Sequence, residues 1–318
     1  MTAKEKYSRF CSAQPDIPVY MRDWWLDCVC HPGRWDVLLY ENNEGDIEAF
    51  MTLYIPYEGV IAMPEYTRTM GVWFNPSIKE ELYRKELYRK QKICTYFIER
   101  LPGHRSYLQL FDPSFTDWLP FYWKGFKQTT RYNYILPDIA DPDRLWASFN
   151  KIKSDVKKAQ RRFGLTIKRG VSIDELIRID KETYKRQSIK EPGTAPLKRL
   201  AAAAKERNQG DIWGAYDAEG RLHAVLFFVW QESSTYAIAC GRASDIPNTC
   251  ATTLLIWESI RFASTVSKAY DFHGSMLPGV EFINREFGAV QYPYFQLHKG
   301  KRGISKLFNA VKAKITKR

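Results

Sequence analysis

The sequence predicts a mixed α/β protein in which one α/β unit is used twice, and three observations carry that prediction. First, residues 44–49 (EGDIEA) and 219–224 (EGRLHA) each place a Glu-Gly turn between an aromatic-rich strand pattern, WDVLLY or DIWGAY, and an apolar one, FMTLYI or VLFFVW. A turn of this kind between strand runs signals a hairpin. Second, strand patterns begin near Tyr107 (SYLQLFD) and Tyr270 (AYDFHGS), 163 positions apart. Third, the glycine steps Lys124-Gly125-Phe126 and Phe287-Gly288-Ala289 keep the same spacing of 163. A constant offset with a constant element order marks an internal repeat.

Each copy then reads hairpin, helix, strand, short helix and closing strand, a mixed α/β layer. In the first copy the helix is expected from Ile78 to Arg100 and the closing strand at RYNYIL. Its tandem ELYRK-ELYRK (81–90) sets up the pairs Glu81–Lys85 and Glu86–Lys90, a solvated helix face. In the second copy the helix is expected from Thr249 to Ser264, and the closing strand is YPYFQL. This copy is longer at its front, with a helix from about Asp143 to Phe163 and another from Ile173 to Gln187. The loop Glu191-Pro192-Gly193-Thr194-Ala195-Pro196 follows, and then the strong helix former LKRLAAAAKERN. Leu136-Pro137-Asp138 and Asp141-Pro142 punctuate the junction. The expected domains are residues 1–130, residues 131–298 with the reaction centre, and a basic amphipathic segment, 299–318.

Composition narrows the class. The 318 residues are 45% hydrophobic and 15% aromatic, which excludes disorder. No apolar run reaches the length of a membrane span, and the N-terminus (MTAKEKYSRF) is polar, so a cytoplasmic protein is expected. The net charge of +12 is concentrated in two places. Residues 299–318 hold eight Lys/Arg and no acid, and 151–169 hold eight Lys/Arg against Asp155 alone. The rest of the chain is net negative. In 299–318, Ile304, Leu307, Phe308, Val311 and Ile315 recur at helical spacing. Two readings stay open there: an anionic membrane surface, or docking of the apolar side on the protein itself.

Several stretches then take on a family likeness. Tyr270-Asp271-Phe272-His273-Gly274-Ser275-Met276, Gly279-Val280-Glu281-Phe282 and Arg285-Glu286-Phe287-Gly288-Ala289 resemble the signature of GNAT-like acyltransferases of the Fem type. That family includes the peptidoglycan-bridge aminoacyltransferases. Trp123-Lys124-Gly125-Phe126 with Arg131-Tyr132-Asn133-Tyr134, the basic helix from Lys153 to Arg162, and Thr183-Tyr184-Lys185-Arg186-Gln187 also fit. The likeness covers about residues 118–297 and implies two tandem GNAT-like domains. It implies an acyl- or aminoacyltransferase with no tightly bound cofactor. Acyl-CoA or aminoacyl-tRNA would be the co-substrate, and an amine, on a cell-wall peptide precursor, the acceptor. The chain departs from the family pattern in three ways. The loop before the central helix, Asp245-Ile246-Pro247-Asn248-Thr249-Cys250-Ala251, lacks the glycines of a coenzyme A pyrophosphate loop. His273 stands where the family commonly has Glu. A coiled-coil arm is missing, since 196–209 is too short for one.

Acyl transfer to an amine needs donors for an oxyanion, a group that receives the amine proton, and alignment of the reactants. The splayed central strands of this fold would supply backbone N–H groups, here from Tyr236–Gly241 beside Lys268–Gly274. His273, at the end of the second of these strands, is the candidate base or a hydrogen-bonded structural histidine, and Asp271 would orient it or cap a loop. Glu281 and Arg285 are further catalytic candidates or simply an i,i+4 pair. Arg242, Asn248 and Thr249 are candidates for a phosphate-bearing donor, with Asn248 as the cap of a helix whose N-terminus favours anions. Tyr184, Arg186 and Gln187 end a helix before a Pro/Gly loop and are candidate substrate contacts, as are Lys157 and Arg161 on the basic helix. Cys28-Val29-Cys30-His31 has metal-ligand residue types without a second cluster, and no metal is expected. Two rival readings are a catalytically inactive frame that binds RNA or an anionic membrane, and a coenzyme A-dependent acetyltransferase of a small amine.

Overall fold

The computed structural model describes residues 1–30, 34–188 and 190–300. The chain divides into two compact units, 1–131 with 294 onward and 132–293. It leaves the first unit within one strand and returns to it within another.

The first unit opens with α1 (Ala3–Ala13), started by a capping box between Thr2 and Glu5, and α2 (Asp23–Val29). The hairpin β1 (Trp35–Glu41) and β2 (Ile47–Tyr57) follows, paired antiparallel across the Glu44-Gly45 turn. Two short strands, β3 (Val60–Ala62) and β4 (Gly71–Phe74), both pair with β2. Then come α3 (Tyr83–Arg100), β5 (Ser106–Leu110), α4 (Leu119–Trp123) and the start of β6 (Lys127–Leu136). The helix α3 begins at Tyr83 rather than Ile78, with Ile78 buried in the turn before it. Glu81 therefore lies outside the helix, and of the two tandem pairs Glu86–Lys90 forms, at 2.5 Å.

The second unit continues from β6 into α5 (Pro142–Ser148) and α6 (Lys151–Lys157), which runs on as one π-helical turn, Lys158–Arg162. The single helix expected over 143–163 is broken where Phe149 turns into the core, and Asp141 caps the first piece through Arg144 N. Next are β7 (Thr166–Arg169), α7 (Ile173–Gln187, capped by Ser172) and α8 (Thr194–Glu206). The remainder is β8 (Gly210–Tyr216), β9 (Leu222–Trp230), β10 (Ser234–Arg242), α9 (Ala251–Ala263), β11 (Ala269–Asp271), α10 (Pro278–Glu286) and β12 (Val290–Gly300). Strand order in this unit is β12-β6-β11-β10-β9-β8-β7. Its core joins Leu226 and Phe228 of β9, Leu254, Trp257 and Ile260 of α9, and Phe287. The strand β9 is buried almost throughout, which accounts for its apolar run from Ala224 to Trp230.

The repeat is visible element by element. Tyr107 and Tyr270 are both fully buried and sit at matching points of a parallel ladder, Ile61↔Tyr107 in one unit and Thr235↔Tyr270 in the other. Gly125 and Gly288 both follow the short helix at positive φ, the conformation that ends a helix at low cost with glycine. The closing strand YPYFQL, expected in the second domain, is shared: its part from Tyr294 belongs to the first unit, where it pairs with β5. Lys299 and Gly300, expected in the amphipathic segment, end this strand. The rest of that segment, with the periodicity of Ile304 to Ile315, lies outside the described residues, as does His31 of the Cys-Val-Cys-His stretch. Among the described residues, no cluster that could hold a metal ion occurs and no helix is long and apolar enough to cross a membrane.

Candidate active site

The second unit contains an opening between two neighbouring strands. The strands β10 and β11 run parallel and pair at Ser234↔Ala269, Thr235↔Tyr270 and Tyr236↔Asp271, where the ladder stops. Beyond that point β10 continues to Arg242, with a bulge at Ile238, while β11 gives way to a loop. Bulges bend the strand that carries them. The other strand is turned aside by Asp271. Its Oδ1 accepts the backbone N–H of His273 at 2.6 Å and its Oδ2 accepts Asn133 Nδ2 at 2.8 Å. His273 and Gly274 both take positive φ, 65° and 54°. The buried carboxylate thus anchors a kink that carries the chain away from β10.

The gap widens into a cavity of about 440 Å³. Its walls are β10 from Ala237 to Arg242, the kink Phe272-His273-Gly274, the last turns of α7, and α10. Five expected site residues meet here: His273, Arg242, Tyr184, Arg186 and Gln187. Arg186 donates to the Arg242 carbonyl at 3.3 Å, so two guanidinium-bearing residues meet at the end of β10. Burial first, and then Arg242, lowers the pKa of Arg186. Arginine stays charged nonetheless, so two positive charges lie together on this wall, with the Arg242 guanidinium also reaching the Ala243 and Ile246 carbonyls. Burial, with Asp180 nearby, pushes the Cys240 thiol up to about 12, so it lines the wall as a neutral, small apolar group.

The other expected residues lie elsewhere. Asp271 is buried and bonds the main chain of His273, so its role is in the kink. Glu281 and Arg285 pair with each other at 3.3 Å and do not line the cavity. Lys157 and Arg161 are exposed on α6 and its π turn, also outside the cavity walls. This helix flanks the start of α9, close enough for Asp155 and Lys158 to act on the Cys250 thiol.

Asn248 and Thr249 belong to the loop between β10 and α9, and its polar groups are already engaged. Asn248 Oδ1 accepts Cys250 N at 3.1 Å. Glu182 Oε2 accepts both Ser244 N and Ser244 Oγ, at 2.8 and 2.9 Å. His223 holds both ends of the loop: its carbonyl accepts Ala243 N, and its Nδ1 lies 3.0 Å from Thr249 Oγ1. The other ring nitrogen, Nε2, is 2.9 Å from Asp217 Oδ2 and carries the proton toward that carboxylate. The His223 hydrogen bond, followed by those from Arg221, holds the Asp217 carboxyl well below its ordinary 3.8. A carboxyl depressed on folding stabilises the fold above its unfolded value, and this is lost as pH falls through the folded value. Asp217→Asn is therefore expected to be less stable at neutral pH and to lose part of the steepness of acid unfolding below the ordinary carboxylate range. Urea denaturation followed against pH checks both.

Sequence reasoning missed two groups. Asn284 is 4% exposed, lines the cavity and, among the described residues, its Nδ2 has no hydrogen-bond partner. Asp180 and Thr183, both buried, line the opposite wall on α7. A signal existed for each. Val280, Ile283 and Phe287 make an apolar stripe at i, i+3 and i+7, and Asn284 fills its i+4 position. Asp180 and Thr183 likewise interrupt the stripe of Leu176 and Ile179. A polar residue within the inward stripe of a helix is buried, and it needs a partner.

The first unit does not repeat the opening. Where β5 passes its parallel partner β3, Met70 N bonds the Leu110 carbonyl at 2.6 Å and Phe111 N bonds the Phe295 carbonyl at 2.8 Å. The Phe111 ring lies over Gly71, where a Cβ would come within 2.9 Å of it, and Phe115 and Phe121 pack behind. Aromatic side chains occupy the space that is open in the second unit.

Residues 148–278 match the family model of the acetyltransferase (GNAT) domain, a class that takes acyl-CoA as co-substrate. The crystal structure of FemX is similar to this chain at 12% identity, covering 93% of it and 96% of FemX, with a TM-score of 0.65. A domain of the lysylphosphatidylglycerol synthetase type from Agrobacterium fabrum is similar at 11% identity, covering 98% and 97%, with a TM-score of 0.53. A protein of unknown function from Bacteroides thetaiotaomicron is similar at 11% identity, covering 87% and 88%, with a TM-score of 0.51. At such identities the likeness is one of fold. No curated protein matches in sequence.

Proposed function

With a GNAT acyltransferase domain at residues 148–278 as the premise, we propose that the second unit moves an aminoacyl group from aminoacyl-tRNA to an amine on a cell-wall peptide precursor. The observation that carries the transfer chemistry is the gap beside β10. Past Tyr236 the edge of this strand has no β11 residue opposite it, so backbone N–H groups can meet the developing oxyanion of an acyl carbonyl. His273, on the rim, takes the proton of the attacking amine and returns it to the donor's ester oxygen as the tetrahedral intermediate collapses, so the new N–C bond replaces the ester C–O bond and the donor leaves with a free hydroxyl group.

The choice of donor rests on the loop before α9. A diphosphate bound there needs free N–H groups and a positive potential. In this chain the Glu182 carboxylate already takes Ser244, Asn248 takes Cys250, and His223 takes Ala243. The exposed cations of α6 suit the spread phosphates of a nucleic acid better, and their contribution would fall steeply with salt.

The test offers aminoacyl-tRNA and acyl-CoA separately, with amine acceptors that include cell-wall peptide precursors, and reads products by mass. Product from the tRNA donor alone is the expected result. Product from acyl-CoA, with a thermal shift on adding coenzyme A, would replace this reading with an acetyltransferase. No product from either donor would favour an inactive frame. His273→Ala is expected to lower turnover by roughly 10²–10⁴-fold.

A further inference from the structure

We infer that Asp180 selects the transferred group: it receives the free α-ammonium of an aminoacyl residue whose carbonyl lies against β10. This rests on the transferase reading above and names the feature by which the acyl group is chosen. The placement starts from Gly241. A Cβ there would collide with Thr183 Oγ1 and meet Ile179 Cγ2 at 2.9 Å and the Ile179 carbonyl at 3.2 Å. Only glycine lets α7 come this close to β10, and the approach brings Asp180 to the flank of the same strand. Asp180 is buried, lines the cavity beside Thr183, and acts on the Cys240 thiol of β10.

Charge therefore changes sign along the cavity. The rise of the helix puts Arg186 about 9 Å beyond Asp180 along α7. Its guanidinium is engaged at that end, with Thr183 Oγ1 and the Arg242 carbonyl. Beside the gap the lining of β10 is small and apolar, Ala237, Ile238 and Ala239. A buried carboxylate favours a cation over a neutral group at the wall next to it. That cation is not the attacking amine. A neighbouring carboxylate holds an ammonium in its charged form, and a charged amine has no lone pair for the acyl carbon. The fitting group is one that stays protonated throughout, and on an aminoacyl donor this is the α-ammonium, on the carbon next to the reacting carbonyl. An acetyl group, or an aminoacyl group blocked on nitrogen, would set a methyl or an amide against the acid and be rejected.

Calorimetry of the full chain with two nucleosides tests this. Puromycin carries an aminoacyl group with a free α-amine through a stable amide, and N-acetylpuromycin carries the same group blocked. Puromycin is expected to bind roughly tenfold or more tighter. Asp180→Asn, close to isosteric, is expected to lose this preference and to lower transfer from aminoacyl-tRNA by roughly 10–100-fold. Should that variant fail to fold, Asp180→Ser is read in its place. Equal binding of the two nucleosides, binding of neither, or a variant that keeps the preference would each overturn the proposal. The transferase reading would survive all three if product still formed from aminoacyl-tRNA. A preference for puromycin that depends on Asp180, with no product from any donor, would instead sink the transferase reading and leave the ammonium site standing.

Discussion

Gly274→Ala is expected to abolish most of the transfer activity, by on the order of 10²-fold or more, while costing about 2–4 kcal/mol of stability. A Cβ at this position would meet the Tyr132 carbonyl at 2.6 Å and Asn133 Oδ1 at 2.8 Å, and the residue holds φ 54°. Backbone is in the way on one side, so the kink itself must shift. The kink sets the distance between His273 and β10, and reactive geometry tolerates little error. A control separates strain from collision: Gly220 has φ 81° with nothing within 4 Å of an added Cβ. Gly220→Ala is expected to cost about 1 kcal/mol and leave turnover unchanged. Paired thermal melts and rates for the two variants decide the matter, and equal losses of activity would refute the kink as its cause.

The second large effect is expected at Asn284. Its Nδ2 is buried at the cavity wall with no partner among the described residues, an arrangement that costs stability unless something bound there completes it. Asn284→Ala is therefore expected to leave the melting temperature unchanged or raise it, and to lower kcat/KM by roughly 10–100-fold, about the value of one lost donor. Loss of stability and activity together would assign the residue to the fold. Loss of activity alone would assign its amide to a bound carbonyl. The same assay on Arg285→Ala serves as the contrast, because that side chain is paired with Glu281 outside the cavity and little change is expected.

How much of this was legible beforehand depends on the range of the interaction. The hairpins, α7 over Ile173–Gln187 and the short helices ending at Gly125 and Gly288 all follow from local signals: period, caps and turn glycines. Five cavity residues were also within reach, because they sit at the ends of strands and helices, where α/β folds open. For Asp271 the sequence left two roles open, orienting His273 or capping a loop, and the contact its carboxylate makes, with the backbone amide of His273, is chosen by the kink and not by local pattern. The break at Phe149 and the start of α3 at Tyr83 were likewise hidden, since burial of Phe149 and Ile78 by distant residues overrides helical propensity.

The sequence alone determined the doubled α/β plan, the separation of charge into two segments and the residue types available for acyl transfer. All of these are written in periodicity, spacing and composition, which act over short stretches of chain. Tertiary structure decided which of the two units opens. Both have the same parallel start beside a buried tyrosine, but in one a phenylalanine over Gly71 fills the space and in the other Asp271 draws the strand aside. That outcome depends on packing between residues far apart in the chain, such as Asn133 and Asp271, and such encounters leave no local pattern to read.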